Sequence, residues 1–118
     1  MSNVYDSERS IMSIEIITGD ITDQDVDAIV NSANPTMLAG SGVSGAIHRA
    51  AGRELEKECL VIGHVDAGNA ALTAGYKLKA PYVIHAVAPQ WFGGHNHEEE
   101  LMEKCFHSIF GIVEMEGF

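Results

Sequence analysis

From Ala28 to Gly52 the chain reads Ala-Ile-Val-Asn-Ser-Ala-Asn-Pro-Thr-Met-Leu-Ala-Gly-Ser-Gly-Val-Ser-Gly-Ala-Ile-His-Arg-Ala-Ala-Gly, and few folds accommodate that order. Ala28, Ile29 and Val30 form a continuous apolar run, the pattern of a strand covered on both sheet faces. Asn31, Ser32, Asn34 and Pro35 then break the strand, because Asn and Ser bond their own backbone and Pro has no N–H to donate. Gly40, Gly42 and Gly45 let the backbone turn tightly and approach a ligand. From Val43 onward the spacing becomes helical, with Ala46, Ile47, Ala50 and Ala51 on one side. A glycine loop entering a helix N-terminus aims several unpaired N–H groups at one spot, the arrangement by which proteins hold phosphate. The stretch therefore predicts a site for an anionic ligand.

The 118 residues suffice for one small domain and no more. The hydrophobic share of 46% against 20% charged is a globular balance. A net charge of −10 argues against nucleic acid as a partner, since that binding needs arrays of Lys and Arg. It leaves room for a single nucleotide held by backbone N–H groups. No apolar run reaches the length of a membrane span, and residues 1–13 lack the pattern of a signal peptide. Cys59 and Cys105 both fall at apolar helical positions and read as reduced core thiols, which points to a cytoplasmic protein.

Taken in order, residues 1–12 read as a loose leader, with Met12 a second candidate start, and 13–118 as the domain. Ser13 to Thr18 is isoleucine-rich and predicts a strand. Gly19-Asp20-Ile21-Thr22 closes it, and a second strand runs from Asp27 to Asn31. The helix begun at Ser44 continues to Cys59 with a break or kink expected at Gly52, which costs about 1 kcal/mol inside a helix. Further strands are predicted at Asn69 to Thr73 and Tyr82 to Val87. After a loop from Gln90 to His97, Asn96 and Glu99 suggest a capping box. The helix that follows has an apolar face of Leu101, Met102, Cys105, Phe106, Ile109 and Val113, expected to be buried. The order β-β-α-β-β-α implies an α/β layered fold.

Other chemistries fit less well. Asp23, Asp25 and Asp27 lack the glycine and distant glutamate of a calcium loop and read as a solvated turn. His95, His97, Cys105 and His107 do not form a zinc set, because Cys105 and His107 cannot share a helix face. Neither a metal nor a cofactor is implied. Gly40-Ser-Gly-Val-Ser-Gly45 matches the G-x-G-x-x-G dinucleotide fingerprint, but Gly40 comes nine positions after Asn31, whereas that fold places the first glycine directly after its strand. His85, inside an apolar strand, reads as a hydrogen-bonded core histidine rather than a catalyst. His48 and Arg49 have surface or packing roles, or help to hold phosphate.

Several motifs appear together and in order. They are Gly19-Asp20-Ile21-Thr22, Asn31-Ser32-Ala33-Asn34-Pro35, the run Gly40 to Gly52, Ala71-Leu72-Thr73, Gly75-Tyr76-Lys77-Leu78 and Tyr82 to Pro89. In these the chain closely resembles a macro domain over roughly residues 13 to 116. It is most similar to the MacroD-type branch, which binds ADP-ribose and removes ADP-ribose or acetyl groups. The resemblance implies a mixed sheet flanked by helices. It also implies that Asp20 accepts a hydrogen bond from the adenine amino group, with Ile21 supplying backbone beside it. Asn34 would contact the distal ribose and is the tentative catalytic residue. Gly40, Ser41, Gly42, Val43 and Ser44 would surround the diphosphate and ribose.

Two departures shape the functional expectation. Where hydrolases of this branch usually carry aspartate, Ser44 stands, and a serine hydroxyl cannot act as a carboxylate base. Ser41 also interrupts the usual glycine run. At Phe118 the family continues into an apolar strand, a second Gly-aromatic-Gly loop and further elements, so the resemblance implies a shortened domain with open sheet edges. The expected function is binding of free or protein-linked ADP-ribose. The alternatives are an ADP-ribosyl hydrolase or O-acetyl-ADP-ribose deacetylase, and a non-binding remnant. Self-association through the exposed edges is the expected quaternary behaviour.

Overall fold

The computed structural model describes residues 13–118, so the leader expected at residues 1–12 lies outside the described residues. Three strands form one mixed sheet: β1 (Ala28–Ser32), β2 (Ala70–Ala74) and β3 (Tyr82–Ala86). β3 is central, parallel to β1 with Val30 opposite Ile84, and antiparallel to β2 with Leu72 opposite Ile84. Its position explains its composition. Val83, Ile84, His85 and Ala86 are all buried, the continuous burial expected of a strand covered on both faces.

Between β1 and β2 the chain crosses over through α1 (Gly42–Ala51) and α2 (Arg53–Ile62). The expected break falls at Gly52, whose N–H closes α1 on the His48 carbonyl and whose φ of 96° turns the chain into α2. These helices cover one face of the sheet. Ile47, Ala51, Leu55 and Cys59 pack there with Ile29 and Val83 in a single apolar cluster. Cys59 and Cys105 are both free and buried, as their apolar positions predict.

The other face is covered less completely. α3 (Glu98–Glu116) packs on β3 and β2, while Val30 of β1, in register with buried Ile84, stays 40% exposed. The apolar stripe read from the sequence is consequently not buried as expected. Of its members only Cys105 is buried, and Met102 and Phe106 are exposed along with Phe110 and Met115. Phe118 lies against Tyr82, with ring centroids 5.0 Å apart.

Two local expectations are corrected. Ser13 to Thr18 forms no strand, and Ile14, Ile16 and Ile17 are exposed. β-Propensity measures fit to a pleated neighbour, and no strand among the described residues offers this segment one. Asn96 and Glu99 form no capping box. His97 occupies the N-cap of α3 in a left-handed conformation without a side-chain cap. The neighbouring Glu98 carboxylate accepts the backbone N–H groups of Phe92, Gly94 and Asn96 instead, and the loop closes around it. Burial opposes ionisation of Glu98, but these N–H bonds outweigh it and hold the carboxyl below its usual range.

Leu55 is fully buried between α2 and the sheet, whereas Val61 on the same helix is 87% exposed. Leu55→Ala should therefore cost about 2–5 kcal/mol, and Val61→Ala less than about 0.5 kcal/mol. Urea denaturation measures both. Equal effects would contradict the placement of the core.

Candidate functional site

The glycine loop folds back onto the helix that it starts. Gly40 and Gly42 have φ of 65° and 62°, in the left-handed region that favours glycine. A Cβ on Gly45 would lie 2.9 Å from the Gly40 carbonyl oxygen, so only glycine lets the loop close so tightly. Ser41 is the N-cap of α1 in an extended conformation, and its side chain makes no capping bond. The first intrahelical bond runs from the Gly45 N–H to the Ser41 carbonyl at 3.2 Å. The N–H groups of Gly42, Val43 and Ser44 therefore precede the helical ladder and have no side-chain cap. No acidic residue occupies this first turn, so its positive end is not neutralised from within.

Asn34 sits against this loop, with its Nδ2 3.4 Å from where a Gly40 Cβ would be. Its amide also organises its own turn. Nδ2 donates to the Leu38 carbonyl at 2.9 Å, while Oδ1 accepts from the Leu38 N–H and from the Thr36 hydroxyl. Asp20 caps the 3-10 turn Ile21–Asp23. Its Oδ1 accepts from Thr22 Oγ1 at 2.7 Å and from the Thr22 N–H at 2.9 Å. Those bonds, the hydroxyl's first, hold the exposed Asp20 carboxyl below its ordinary range. The turn packs against α1, and Lys79 pairs with Asp23 at 2.8 Å. Ile21 lies at the margin of the apolar cluster. The Asp20 turn and the glycine loop thus both border α1, with Asn34 beside Gly40.

Ser44 turns inward from the first helical turn and ends a buried polar line that crosses the sheet. Asn31 Nδ2 reaches Ser44 Oγ at 3.3 Å and His85 Nδ1 at 3.1 Å, and His85 Nε2 meets Thr73 Oγ1 at 2.9 Å. His85 is the hydrogen-bonded core histidine that the sequence suggests. Asn31 lies within β1, as the strand expected from Asp27 to Asn31 places it, and is fully buried, where its polarity alone suggests a break after Val30. The available signal was its alternation with buried Ile29. Thr73 gave no comparable signal in the sequence. Burial, and then the charge of nearby His48, push His85 down to about 4. Burial also lowers His48, against the pull of Glu56. His48 lines an open cleft of about 340 Å³ with Gly40, Gly45, Arg49 and Arg53.

His95 and His97 lie on an exposed loop, and among the described residues no three His, Cys, Asp or Glu gather as a metal site. Trp91 and Phe92 are also exposed there. No helix of the described residues is long and apolar enough to cross a membrane.

A three-stranded mixed sheet with this loop entering its crossover helix is an α/β fold, and comparison with known proteins names the class. Residues 30–118 match the Macro domain family. A macro domain-containing protein of Mesorhizobium japonicum is 54% identical over 105 residues, covering 89% of this chain and 60% of the relative. An O-acetyl-ADP-ribose deacetylase of Salmonella gallinarum is 45% identical over 109 residues, covering 89% and 61%. Among solved structures, the Oceanobacillus iheyensis macrodomain with ADP superposes with a TM-score of 0.78 at 36% identity, covering 85% of this chain and 56% of that one. The Trypanosoma brucei macrodomain in complex with ADP gives 0.71 at 41% identity, covering 80% and 39%. The chain belongs to the macro domain family. It spans about three-fifths of the length of the curated relatives it matches.

His85 also sets a pH dependence. The unfolded chain binds a proton at this histidine near pH 6.5, while the folded chain resists until about 4. Stability should therefore fall as the pH drops through that window and stop falling on this account below it. Urea denaturation from pH 7 to pH 4 should show a shallower loss for His85→Gln than for the parent chain. Parallel curves would remove His85 as the cause.

Proposed function

We propose that this chain binds ADP-ribose, free or attached to protein, through the Asp20 turn and the loop of Asn34 and Gly40 to Ser44. The observation that carries this reading is the first turn of α1, uncapped by any side chain and free of acidic residues, at the end of a loop closed by Gly45 on Gly40. Three donating N–H groups and a helix N-terminus suit a diphosphate. Asp20, kept ionised by Thr22, can only accept hydrogen bonds, which suits an adenine amino group. The relative named as an O-acetyl-ADP-ribose deacetylase and the macrodomain structures holding ADP support the ligand class.

Binding is favoured over hydrolysis because Ser44 supplies no carboxylate base. The hydrolase reading draws on the deacetylase relatives, and turnover of O-acetyl-ADP-ribose by the parent chain would establish it. The cytoplasmic location expected from the two thiols belongs to this proposal as well. So does self-association: among the described residues β1 is an edge strand with Val30 exposed, and Phe106 and Phe110 are exposed on α3.

Calorimetric titration should show ADP-ribose binding, weakened by about 1–3 kcal/mol in Asp20→Ala. AMP should lose affinity in that variant, whereas ribose 5-phosphate should not, and equal losses would mean that the turn, not the adenine contact, had failed. Light scattering at rising concentration should show an increase in mass. A constant monomer mass would rule out edge pairing.

A further inference from the structure

Ser44 is 6% exposed in the first turn of α1. Among the described residues its hydroxyl has one hydrogen-bond partner, Asn31 Nδ2. The direction in which Ser44 sends its own hydrogen is decided three side chains away. Thr73 Oγ1 lies 3.0 Å from the Ala74 carbonyl and 2.9 Å from His85 Nε2, and a hydroxyl has only one hydrogen to give. If Thr73 donates to the carbonyl, which can only accept, it must receive the Nε2–H of His85. Nδ1 is then bare and accepts one N–H of Asn31. The other Asn31 N–H goes to Ser44 Oγ, and the Ser44 hydrogen is left to point elsewhere.

The opposite polarity can be drawn. Thr73 would donate to Nε2, and the Asn31 amide would be turned over to accept from both Nδ1–H and Ser44. That choice puts the Asn31 NH2 where Oδ1 now lies, a buried position with no partner among the described residues. Two N–H donors would be stranded there instead of one carbonyl oxygen. Buried orphan donors are the rarer and more costly outcome, so the first polarity prevails.

We infer that Ser44 is a committed hydrogen-bond donor at the glycine loop, set in that role by the Thr73–His85–Asn31 chain, and that it selects an ionised phosphate oxygen. The inference rests on reading the loop as an ADP-ribose site. It assigns Ser44 the contact and makes Thr73, His85 and Asn31 positioning residues. An ionised phosphate oxygen only accepts, so it can take the Ser44 hydrogen and the first-turn N–H groups together. A carboxylate at this position, as the resemblance leads one to expect, can only accept and could not make this donor contact.

Two measurements test this. Nitrogen–proton correlation spectra of the imidazoles in the unliganded chain at neutral pH should show His85 protonated at Nε2; protonation at Nδ1 would overturn the inference. Calorimetry should show ADP-ribose binding about 10- to 100-fold weaker in Ser44→Ala, with affinity largely restored in Ser44→Thr. Adenosine, which lacks phosphate, should bind both variants as it binds the parent chain. Thr73→Val should weaken ADP-ribose binding in the parent background but add nothing in Ser44→Ala, because it acts through Ser44. Undiminished binding by Ser44→Ala would overturn this inference and leave the loop's function standing. Failure of the parent chain to bind ADP-ribose would overturn both.

Discussion

The 3.1 Å hydrogen bond between Asn31 and His85 joins β1 to β3 at a register pair, and the placement of the glycine loop depends on it. Where both side chains are fully buried, a polar contact is strong when completed and costly when broken. The same asparagine nitrogen reaches Ser44, so the bond that fixes the two strands also ties the first turn of α1 to the sheet. Gly45 settles the other side by leaving room for the Gly40 carbonyl where a side chain would otherwise stand. The loop is therefore held between a polar anchor beneath it and a backbone contact beside it. Its N–H groups are aimed by the fold itself, and a ligand held as proposed would be spared that ordering cost.

The parts legible in the sequence are those whose physics is local. A glycine run after a broken strand states its geometry in its own residues, and Gly52 interrupts a helix wherever that helix lies. The apolar run around Val83 and Ile84 marks a central strand because burial on both faces demands continuous apolarity. Ser13 to Thr18 was misread because its isoleucines fit a strand only beside a partner. The stripe of α3 was misread for a related reason: periodicity identifies the face a helix would bury, not how much surface waits to receive it. Asn31 shows a different limit: the expected strand includes it, but its burial is not legible. Its polarity suggests a turn, yet a buried polar residue is tolerated where its partners converge, and His85 lies 54 positions away.

The candidate site divides in the same way. Motifs single out Asp20 and Asn34 as candidates, and in the structure each is engaged in its own turn, with Thr22 and with Leu38. A side chain already fixed by its neighbours presents its remaining valences in one direction, so capping and recognition need not compete at these positions. Thr73 and Asn31 lie within motifs, but no motif shows that they are linked, because a hydrogen-bonded line across three strands exists only once the strands are aligned.

The uneven cover of the sheet gives the molecule a colloidal character. Phe106, Phe110 and Met115 stand exposed on α3, surface that would favour contact between copies, while a net charge of −10 holds copies apart. The repulsion reaches only about 8 Å at physiological ionic strength and vanishes near the sequence isoelectric point of about 4.8. Contact between copies is thus opposed by charge rather than by a sealed surface. Salt and mild acid, which leave most packing intact, act on this chain first through its neighbours in solution and only later through its fold.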